Sequence, residues 1–373
     1  MNASLWTTAG LFAAPQNGSA DGDDGSGLFS VTFDVSKVIA LVCITVIIAL
    51  SIFGNSLVIL ALALDRNIKT AANYLIGSLA LADLLVSLLV MPIRLAHDLT
   101  EIWIFGAIFC DIYISLDVLC CTASILSLTV IALDRFWAIT KPLQYVTKRT
   151  PNRAAAMIVS VWIISALVSI PPLFGWRSPH DKADPKKCLI SQDLGYTVYS
   201  TVAAFYLPLA IILFVYWKIF RAAKLRIRRN RIGAAAAAAS AVPDNVTMNH
   251  RDMALDVPNI DPNNDDNEKQ RSSLSVVSRN NDVRLICAAR ERKAAKTLGI
   301  VIGAFVLCWL PFFILALVLP FCKTCQVHPV ALAFFAWLGY VNSMLNPIIY
   351  TFSNKEFKKA FTRVLKCKHN YRW

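Results

Sequence analysis

The sequence predicts an all-α membrane protein, a seven-transmembrane helix bundle with a short amphipathic eighth helix. Three observations support this fold class. Of the 373 residues, 56% are hydrophobic and 16% are charged, a balance too apolar for the surface of a soluble domain. Seven apolar runs are long enough to cross a bilayer, which takes about 20 residues. Basic residues are concentrated in the alternate connections between these runs, as the positive-inside bias requires.

The predicted spans follow one another through short connections, except between the fifth and the sixth. They are Val38 to Leu64, Ala72 to Leu95, Ile108 to Leu133, Ala154 to Phe174, Thr197 to Trp217, Thr297 to Phe321 and Pro329 to Phe352. Prolines at Pro92, Pro208, Pro311 and Pro347 lie inside these runs. Each removes a backbone hydrogen bond, so we expect a kink at each.

Composition divides the chain into five regions. We expect a disordered extracellular tail at 1–36, spans one to five at 37–229, and a disordered third cytoplasmic loop at 230–283. Spans six and seven follow at 284–353, and an amphipathic helix with a cytoplasmic tail at 354–373. In that last helix Phe357 and Phe361 share one face with Val364 and Leu365, which favours the inner leaflet of the bilayer. Cys367 is a candidate palmitoylation site.

The distribution of charge predicts the topology. The net charge is +13, but the positive residues alternate between the two sides of the membrane, which disfavours nucleic-acid binding. Residues 1–34 contain no Lys or Arg, so the N-terminus is expected outside the cell and the C-terminus in the cytoplasm. Two sequons in the external tail, at Asn2 and Asn17, are candidate glycosylation sites.

Two pairs of cysteines fall on the expected external, oxidising side. Cys110 lies at the outer end of the third span and Cys188 in the following external loop, so we expect them to form a disulfide. Cys322 and Cys325 share another external loop. For this second pair a bridge and two free thiols remain equal alternatives.

A single carboxylate lies within the third span. Asp117 is the only charged residue between Ile112 and Leu133, and an ionised group at that depth is costly unless it faces a cavity and has a partner. No Lys or Arg lies within two helical turns of it along the chain, so a small cationic ligand is a natural partner. Arg135 follows 18 residues later, five helical turns at 3.6 residues each, and therefore shares the same face.

A second buried acid is predicted near the midplane of the bilayer. Asp83 lies in the second span, and its expected neighbours are uncharged: Ser124, Asn342, Ser343 and Asn346. Oxygen ligands of this kind suit a small hard cation such as sodium, or a water cluster. A structural polar network between helices is the alternative, and the residues do not decide between the two.

Seven short motifs, each in the appropriate span, carry a family signature. They are Gly54 to Val58, Leu79 to Asp83, Asp134-Arg135-Phe136, Trp162, Pro208 with Tyr216, Phe305 to Pro311 and Asn346 to Tyr350. With these motifs the chain resembles the rhodopsin-like G-protein-coupled receptors. Within that family it is similar to the biogenic amine group, because Asp117, Trp309 to Phe313 and Trp337 to Tyr340 match that group's pocket.

The resemblance implies a ligand site. Asp117 would pair with a protonated amine and with the Tyr340 hydroxyl, while Trp309, Phe312 and Phe313 pack on the aromatic ring. The full set of implied ligand-binding residues is Asp117, Val118, Cys121, Thr122, Ser200, Thr201, Ala204, Trp309, Phe312, Phe313, Trp337 and Tyr340.

Residues of the fifth span narrow the choice of ligand. Ser200 and Thr201 offer hydroxyls, but Ala203 and Ala204 follow where catecholamine receptors typically carry another serine. This pattern favours an indole or a ring with a single hydroxyl, and the chain looks most similar to type-1 serotonin receptors, in particular their 1A-like members. The resemblance implies a plasma-membrane receptor that is not an enzyme. It also implies an inhibitory G protein (Gi/o type) that lowers cAMP, arrestin and receptor kinases as partners, and no cofactor beyond the sodium ion.

The resemblance further implies a two-state switch. When inactive, Arg135 would pair with Asp134 and Glu291, and activation would open this end of the bundle around Trp309 and Pro311. The implied switch residues are Asp134, Arg135, Tyr216, Glu291, Phe305, Trp309, Pro311, Asn346, Pro347 and Tyr350. The chain departs from the family pattern at Phe136, in place of a tyrosine, and at Ala336, where vertebrate 1A receptors commonly have asparagine.

Other function classes fit less well. A receptor for octopamine, tyramine or another monoamine is the nearest alternative. A retinal protein needs a lysine in the last span, and residues 329–352 contain none. An aspartyl protease needs two acids at one depth, whereas Asp83 and Asp117 lie at different depths. A transporter would show internal repeats, and we find none in the sequence.

Overall fold

The computed structural model describes residues 35–141, 144–145, 148–178, 184, 186–240, 299–322, 324–325, 327–353 and 355–366. Within these ranges seven helices are long and apolar enough to cross a membrane, which confirms the predicted fold class. The contacts divide the chain into two units, residues 1–216 with 297–373, and residues 217–296. The first unit contains the bundle described below, and the described part of the second is a helical segment that ends at Ser240.

Eight helices follow one another in the described part of the chain. Helix α1 spans Val35–Leu64, α2 Ala71–Thr100, α3 Ala107–Thr140 and α4 Pro151–Ser169. Helix α5 consists of Leu194–Thr201, Val202–Tyr206 and Leu207–Ser240. Helix α6 spans Gly299–Val318, α7 Pro329–Ser353 and α8 Lys355–Leu365.

Side-chain caps explain where three of these helices begin. The side chains of Thr70, Thr150 and Asp193 each accept a hydrogen bond from the backbone N–H three residues later. Each cap satisfies one of the N–H groups that the first turn of a helix leaves without a partner. Two of these caps are threonines next to the basic connections, and the third lies at the opposite end, in the loop that contains Cys188.

Two wide helical turns lie directly before prolines. Val86–Val90 and Val202–Tyr206 are π-helical, and they precede Pro92 and Pro208. In each segment a backbone N–H bonds the carbonyl five residues back, from Met91 to Val86 and from Leu207 to Val202. A proline has no N–H and its ring clashes with the carbonyl four residues before it, so a wider turn accommodates the ring.

Several helix ends differ from the sequence prediction, and three of them have a local explanation. Helix α2 continues beyond Leu95 to Thr100, because Arg94 and Asp98 neutralise each other within the helix. Helix α4 stops at Ser169, before a 3-10 turn at Pro171–Phe174, because the two prolines cannot continue the hydrogen-bond pattern. Helix α5 extends to Ser240 rather than ending before 230, since its alanine run has a high helix propensity.

Buried polar groups connect α1, α2 and α7. The Ser51 and Ser87 hydroxyls lie 2.6 Å apart, and the Asn55 amide donates to the Ser343 carbonyl at 3.0 Å. By contrast, α1 exposes apolar side chains such as Ile39 (57%) and Val42 (55%). Polar residues inside and apolar residues outside are the arrangement expected of a bundle in lipid.

The two ends of the bundle are distinguished by a disulfide and by α8. Cys110 at the start of α3 is bonded to Cys188, which confirms the predicted pair, and we call this the disulfide end. Cys322 and Cys325 are also joined. In α8, Phe357 and Phe361 are buried against the bundle, and Phe357 packs near Tyr350 of α7 with ring centroids 6.5 Å apart. Leu365, which was predicted on the same face, is 60% exposed.

Candidate functional site

A cavity of about 110 Å³ opens among α3, α5, α6 and α7 near the disulfide end. Every residue predicted to bind a ligand lines it, apart from Trp337. These lining residues are Asp117, Val118, Cys121, Thr122, Ser200, Thr201, Ala204, Trp309, Phe312, Phe313 and Tyr340. The sequence pattern therefore identified residues that the fold brings together around one space.

Asp117 supplies the negative charge of the cavity. Its carboxylate oxygens accept hydrogen bonds from the Tyr340 hydroxyl at 3.1 and 3.2 Å, and from the Cys121 thiol at 3.3 Å. Both donors are neutral, and no salt bridge between described residues includes Asp117. A carboxylate held by neutral donors on a cavity wall retains the capacity to bind a cation.

Aromatic rings enclose the part of the cavity next to Asp117. The Trp309 ring lies 5.7 Å from Phe313 and 6.4 Å from Tyr340, measured between centroids. Phe313 in turn stacks on Phe205 at 4.4 Å. The faces of such rings attract both an aromatic ligand and a cation.

Gly339 allows Trp309 to approach α7. A Cβ atom at this position would lie only 2.6 Å from the indole ring of Trp309. No real side chain tolerates that distance, so any larger residue would displace the indole. The glycine therefore leaves room for the largest ring in the cavity at its observed position.

Two hydroxyls mark the α5 side of the cavity. Thr201 donates to the Thr197 carbonyl at 2.7 Å, and Ser200 donates to the same carbonyl at 3.3 Å. A hydroxyl that donates to its own helix still has oxygen lone pairs that can accept a bond. Ala204 lines the cavity one turn further on and adds no polar group.

The loop after the disulfide closes one side of the cavity, and the sequence reasoning did not include it. Ile190, Ser191 and Gln192 line the cavity, as do Tyr196 and Thr197 at the start of α5. The signal was present in the chain, because a bond between Cys188 and the start of α3 must bring the residues that follow Cys188 across the bundle.

Trp337 lies behind Tyr340 and does not line the cavity. Its indole N–H donates to Asp98 at 2.8 Å, and its ring meets the Tyr340 ring edge-on at 5.5 Å. Asp98 also forms a salt bridge with Arg94 at 3.0 Å. Sequence reasoning missed both charged residues, although opposite charges four residues apart in an apolar run were a visible signal.

Three of the four polar residues predicted around Asp83 donate hydrogen bonds to it. It accepts hydrogen bonds from Ser124 at 2.8 Å, Ser343 at 2.9 Å and Asn346 at 2.7 Å. The Nδ2 atom of Asn342 is buried and has no partner among the described residues. These residues contain no group of three or more His, Cys, Asp or Glu side chains suited to a metal, so an ion at Asp83 would depend on one carboxylate and neutral oxygens.

At the opposite end of the bundle, Asp134 has partners that the sequence did not predict. Tyr145 donates to it at 2.9 Å, and Arg149 binds both of its oxygens. Burial, and then the neighbouring Asp134 charge, raise the pKa of Tyr145 to about 12. The expected pairing of Arg135 with Asp134 stays a prediction, and Glu291 lies outside the described residues.

The other predicted switch residues lie along the bundle between these ends. Phe305 is fully buried and packs 5.6 Å from Phe205. Pro347 lies inside α7, and a Cβ at Gly54 would be 3.0 Å from it. The Tyr216 hydroxyl approaches Gly299 of α6, at 2.8 Å from where a Cβ would stand.

Comparison with known proteins agrees with this geometry. The family described as 7 transmembrane receptor (rhodopsin family) matches residues 54–350. The 5-hydroxytryptamine receptor 1A of Xenopus laevis is 45% identical over 363 residues, covering 85% of this chain and 88% of its own. The 5-hydroxytryptamine receptor 1D of Cavia porcellus is 45% identical (88% and 89% covered), and the 5-hydroxytryptamine receptor 1B of Canis lupus familiaris is 44% identical (96% and 94% covered).

The family match includes all seven sequence motifs, and each of these relatives aligns with most of the chain. The resemblance found in the sequence is thereby confirmed. The chain belongs to the rhodopsin family of seven-transmembrane receptors, which are not enzymes, and it is similar to the type-1 5-hydroxytryptamine receptors.

Proposed function

We propose that this protein is a serotonin receptor that activates an inhibitory G protein and lowers cAMP. One observation carries the proposal: Asp117, with neutral hydrogen-bond donors only, faces a cavity that aromatic rings and the hydroxyls of Ser200 and Thr201 also line. This set matches the chemistry of serotonin, which has a protonated amine, an indole and one ring hydroxyl. The similarity to several 5-hydroxytryptamine receptors supports the same ligand.

In the proposed complex the ammonium group bonds Asp117, and the indole lies between Val118 on α3 and Phe312 and Phe313 on α6. The ring hydroxyl then reaches Ser200 or Thr201. A charge-assisted hydrogen bond to Asp117 supplies the strongest single interaction. The aromatic residues add apolar burial and selectivity for a flat ring.

Activation requires that serotonin bind one arrangement of the helices more tightly than the other. We propose that contact with Trp309 and Phe313 favours an arrangement in which α6 moves at Pro311. At the other end, release of Arg135 from Glu291 would open the surface that the G protein binds. Glu291→Ala should then raise basal signalling. Unchanged basal signalling would contradict the proposed release of Arg135 from Glu291.

Asp83 is the proposed site of an allosteric sodium ion. Its carboxylate and the hydroxyl oxygens of Ser124 and Ser343 would coordinate the ion, with Asn342 and Asn346 supplying amide oxygens. These groups fit, because hydroxyls and amides that now donate to Asp83 can turn their oxygens toward a small hard cation. The ion would supply positive charge that favours one arrangement of the helices.

The topology and modifications extend the same proposal. The disulfide end faces outside, with glycans at Asn2 and Asn17, and α8 lies along the inner leaflet with a palmitoyl group on Cys367. Arrestin and receptor kinases would act at the cytoplasmic end of this plasma-membrane protein. The two asparagines and Cys367 lie outside the described residues.

The test is a cAMP-inhibition assay with serotonin, tyramine, octopamine, dopamine and histamine on cells that express the full chain. Serotonin should be the most potent, and pertussis toxin should abolish the response. Asp117→Asn should remove the response at equal surface expression. Tyramine is the second candidate, because it also has one ring hydroxyl for Ser200 and Thr201, and greater potency of tyramine would reassign the receptor.

A further inference from the structure

Helix α5 contacts α6 through two consecutive residues at the end of its π-helical segment. The Phe205 ring stacks on the Phe313 ring with centroids 4.4 Å apart and planes 3° from parallel. The Tyr206 hydroxyl donates to the backbone carbonyl of the same Phe313 at 3.0 Å. Phe313 lines the cavity, whereas Phe205 and Tyr206 are not among the lining residues. Both contacts therefore join α5 to one cavity residue from outside the cavity.

Two other tyrosines hold the preceding part of α5 against α4. The Tyr196 hydroxyl donates to the Val168 carbonyl at 3.1 Å, and the Tyr199 hydroxyl donates to the Leu167 carbonyl at 3.1 Å. Tyrosine hydroxyls thus bond α5 to α4 before the segment Val202–Tyr206, and to α6 at the end of that segment. The π-helical segment separates a part of α5 that is bonded to α4 from a part that is bonded to α6.

Ser200 and Thr201 lie between these two sets of bonds. A ligand hydroxyl that bonds either side chain would pull on α5 from inside the cavity. The bonds to α4 oppose a displacement of α5, while the bond from Tyr206 transmits a displacement to α6. Phe313, which accepts that bond, lies two residues after Pro311, where we propose that α6 moves. A displacement of α5 therefore reaches α6 next to its proposed hinge.

We propose that the Tyr206 hydroxyl is a positioning group that couples the ligand-hydroxyl site on α5 to α6, so that the ring hydroxyl of an agonist raises efficacy through this bond. This inference rests on the proposed function, because it concerns how the same ligand acts. The alternative is that the bond only satisfies a phenol that would otherwise be unpaired in lipid. A coupling bond affects ligands with a ring hydroxyl, whereas a purely structural bond affects all ligands alike.

Three receptors with altered tyrosines separate these roles. Tyr206→Phe removes the hydrogen bond to α6 and keeps the ring, so the apolar packing is preserved. Tyr199→Phe is the matched control, because both tyrosines are half-buried and each donates one bond from α5 to a backbone carbonyl of a neighbouring helix. The third receptor has 4-aminophenylalanine at position 206, which returns a donor to the same end of the ring.

The experiment compares serotonin with tryptamine, which lacks the ring hydroxyl, on the full-length receptor. The cAMP-inhibition assay gives the ratio of maximal response to half-maximal concentration for each ligand. Membranes with excess guanine nucleotide, which uncouples the G protein, give the dissociation constants. In Tyr206→Phe the signalling advantage of serotonin over tryptamine should fall about threefold to tenfold, as expected for one hydrogen bond between membrane helices. The advantage in dissociation constant should change by less than about twofold, since Ser200 and Thr201 are unaltered.

Tyr199→Phe should leave both advantages unchanged, and 4-aminophenylalanine at position 206 should restore the signalling advantage. Equal losses for serotonin and tryptamine in Tyr206→Phe would overturn the proposal. A loss of the same size in Tyr199→Phe would overturn it too, as would a wild type whose signalling advantage does not exceed its advantage in dissociation constant. If serotonin gives no response in wild type, the proposed function fails instead, and that result is read before any variant.

Discussion

The Tyr340 hydroxyl lies 3.1 and 3.2 Å from the two oxygens of Asp117, so one donor on α7 serves both oxygens of a carboxylate on α3. A donor shared in this way holds the carboxylate plane toward α7. An ammonium that binds Asp117 must then compete with this bond or share it. Ligand binding on α3 is therefore coupled directly to the position of α7.

Tyr340→Phe should weaken serotonin binding about tenfold. The ring would still pack against Trp309 and Trp337, but a hydrogen bond to a charged group, commonly worth about 1.5 to 3 kcal/mol, would be lost. Part of that loss returns when the ammonium takes the freed lone pairs. Radioligand competition on membranes measures the effect, and an unchanged dissociation constant would show that Tyr340 does not position Asp117.

Ser200 and Thr201 should recognise the ring hydroxyl. The double variant Ser200→Ala, Thr201→Val should weaken serotonin about fivefold to tenfold, because a neutral hydrogen bond contributes about 1 kcal/mol. Tryptamine, which lacks the hydroxyl, is the matched ligand and should bind the variant as it binds wild type. Equal losses of affinity for serotonin and tryptamine would show that the ring hydroxyl of serotonin binds elsewhere in the cavity.

Gly339→Ala should displace the Trp309 indole. The new Cβ would lie 2.6 Å from the ring, so the indole must move or the helices must separate. Altered basal signalling and a lower midpoint of thermal inactivation are expected, with a destabilisation of about 1 to 3 kcal/mol. Gly303→Ala on α6 is the control, because among the described residues no atom outside its own stretch of helix lies within 4 Å of the added Cβ, and it should behave like wild type.

Tyr145→Phe should destabilise the end of the bundle opposite the disulfide by about 1 kcal/mol, since Asp134 loses a donor. The pKa of Tyr145 is raised from 10.0 to about 12, so its contribution is complete below pH 10 and is lost only as the pH rises through about 12. Thermal stability of the detergent-solubilised receptor should therefore show the same difference between variant and wild type at about pH 6 and pH 9. A difference that changes between these values would contradict the assignment.

Asp83→Asn should abolish the effect of sodium on agonist affinity. In wild type, sodium chloride should lower serotonin affinity relative to the same concentration of N-methylglucamine chloride, because the ion would favour the inactive arrangement. Asp83 is the only acid of its cluster, so its amide variant removes the charge that holds the ion. If sodium still acts on the variant, the polar-network alternative is the correct one.

Local patterns in the sequence were enough for the spans and for Asp117, and the family resemblance supplied most of the other cavity residues. Asp117 was identified because a charge in a long apolar run is costly without a partner. Cys110 and Cys188 were identified because both were expected on the oxidising side. The Arg94–Asp98 pair was missed for the converse reason: two charges near the end of an apolar run predict the end of a span. Their mutual neutralisation, which lets α2 continue to Thr100, depends on burial that a linear pattern does not report.

Partners separated in sequence were equally hard to predict. The chain places Tyr145 and Arg149 in a basic connection, where the ordinary expectation is a solvated charge, yet both reach Asp134. Likewise Trp337 has the appearance of a cavity residue beside Tyr340, and only the position of Asp98 shows that its indole points elsewhere. Such assignments need the packing of α2 against α7, which no single segment contains.

The π-helical segment Val202–Tyr206 gives α5 one residue more than a regular helix of the same length would have. One residue corresponds to a rotation of about 100° around a helix axis. Deleting a single residue there would leave Pro208 and the part of α5 that follows it in place. The same deletion would rotate Ser200 and Thr201 away from the cavity. The chemistry offered to a ligand on this side can thus change by insertion or deletion alone, with no substitution at any residue that contacts it.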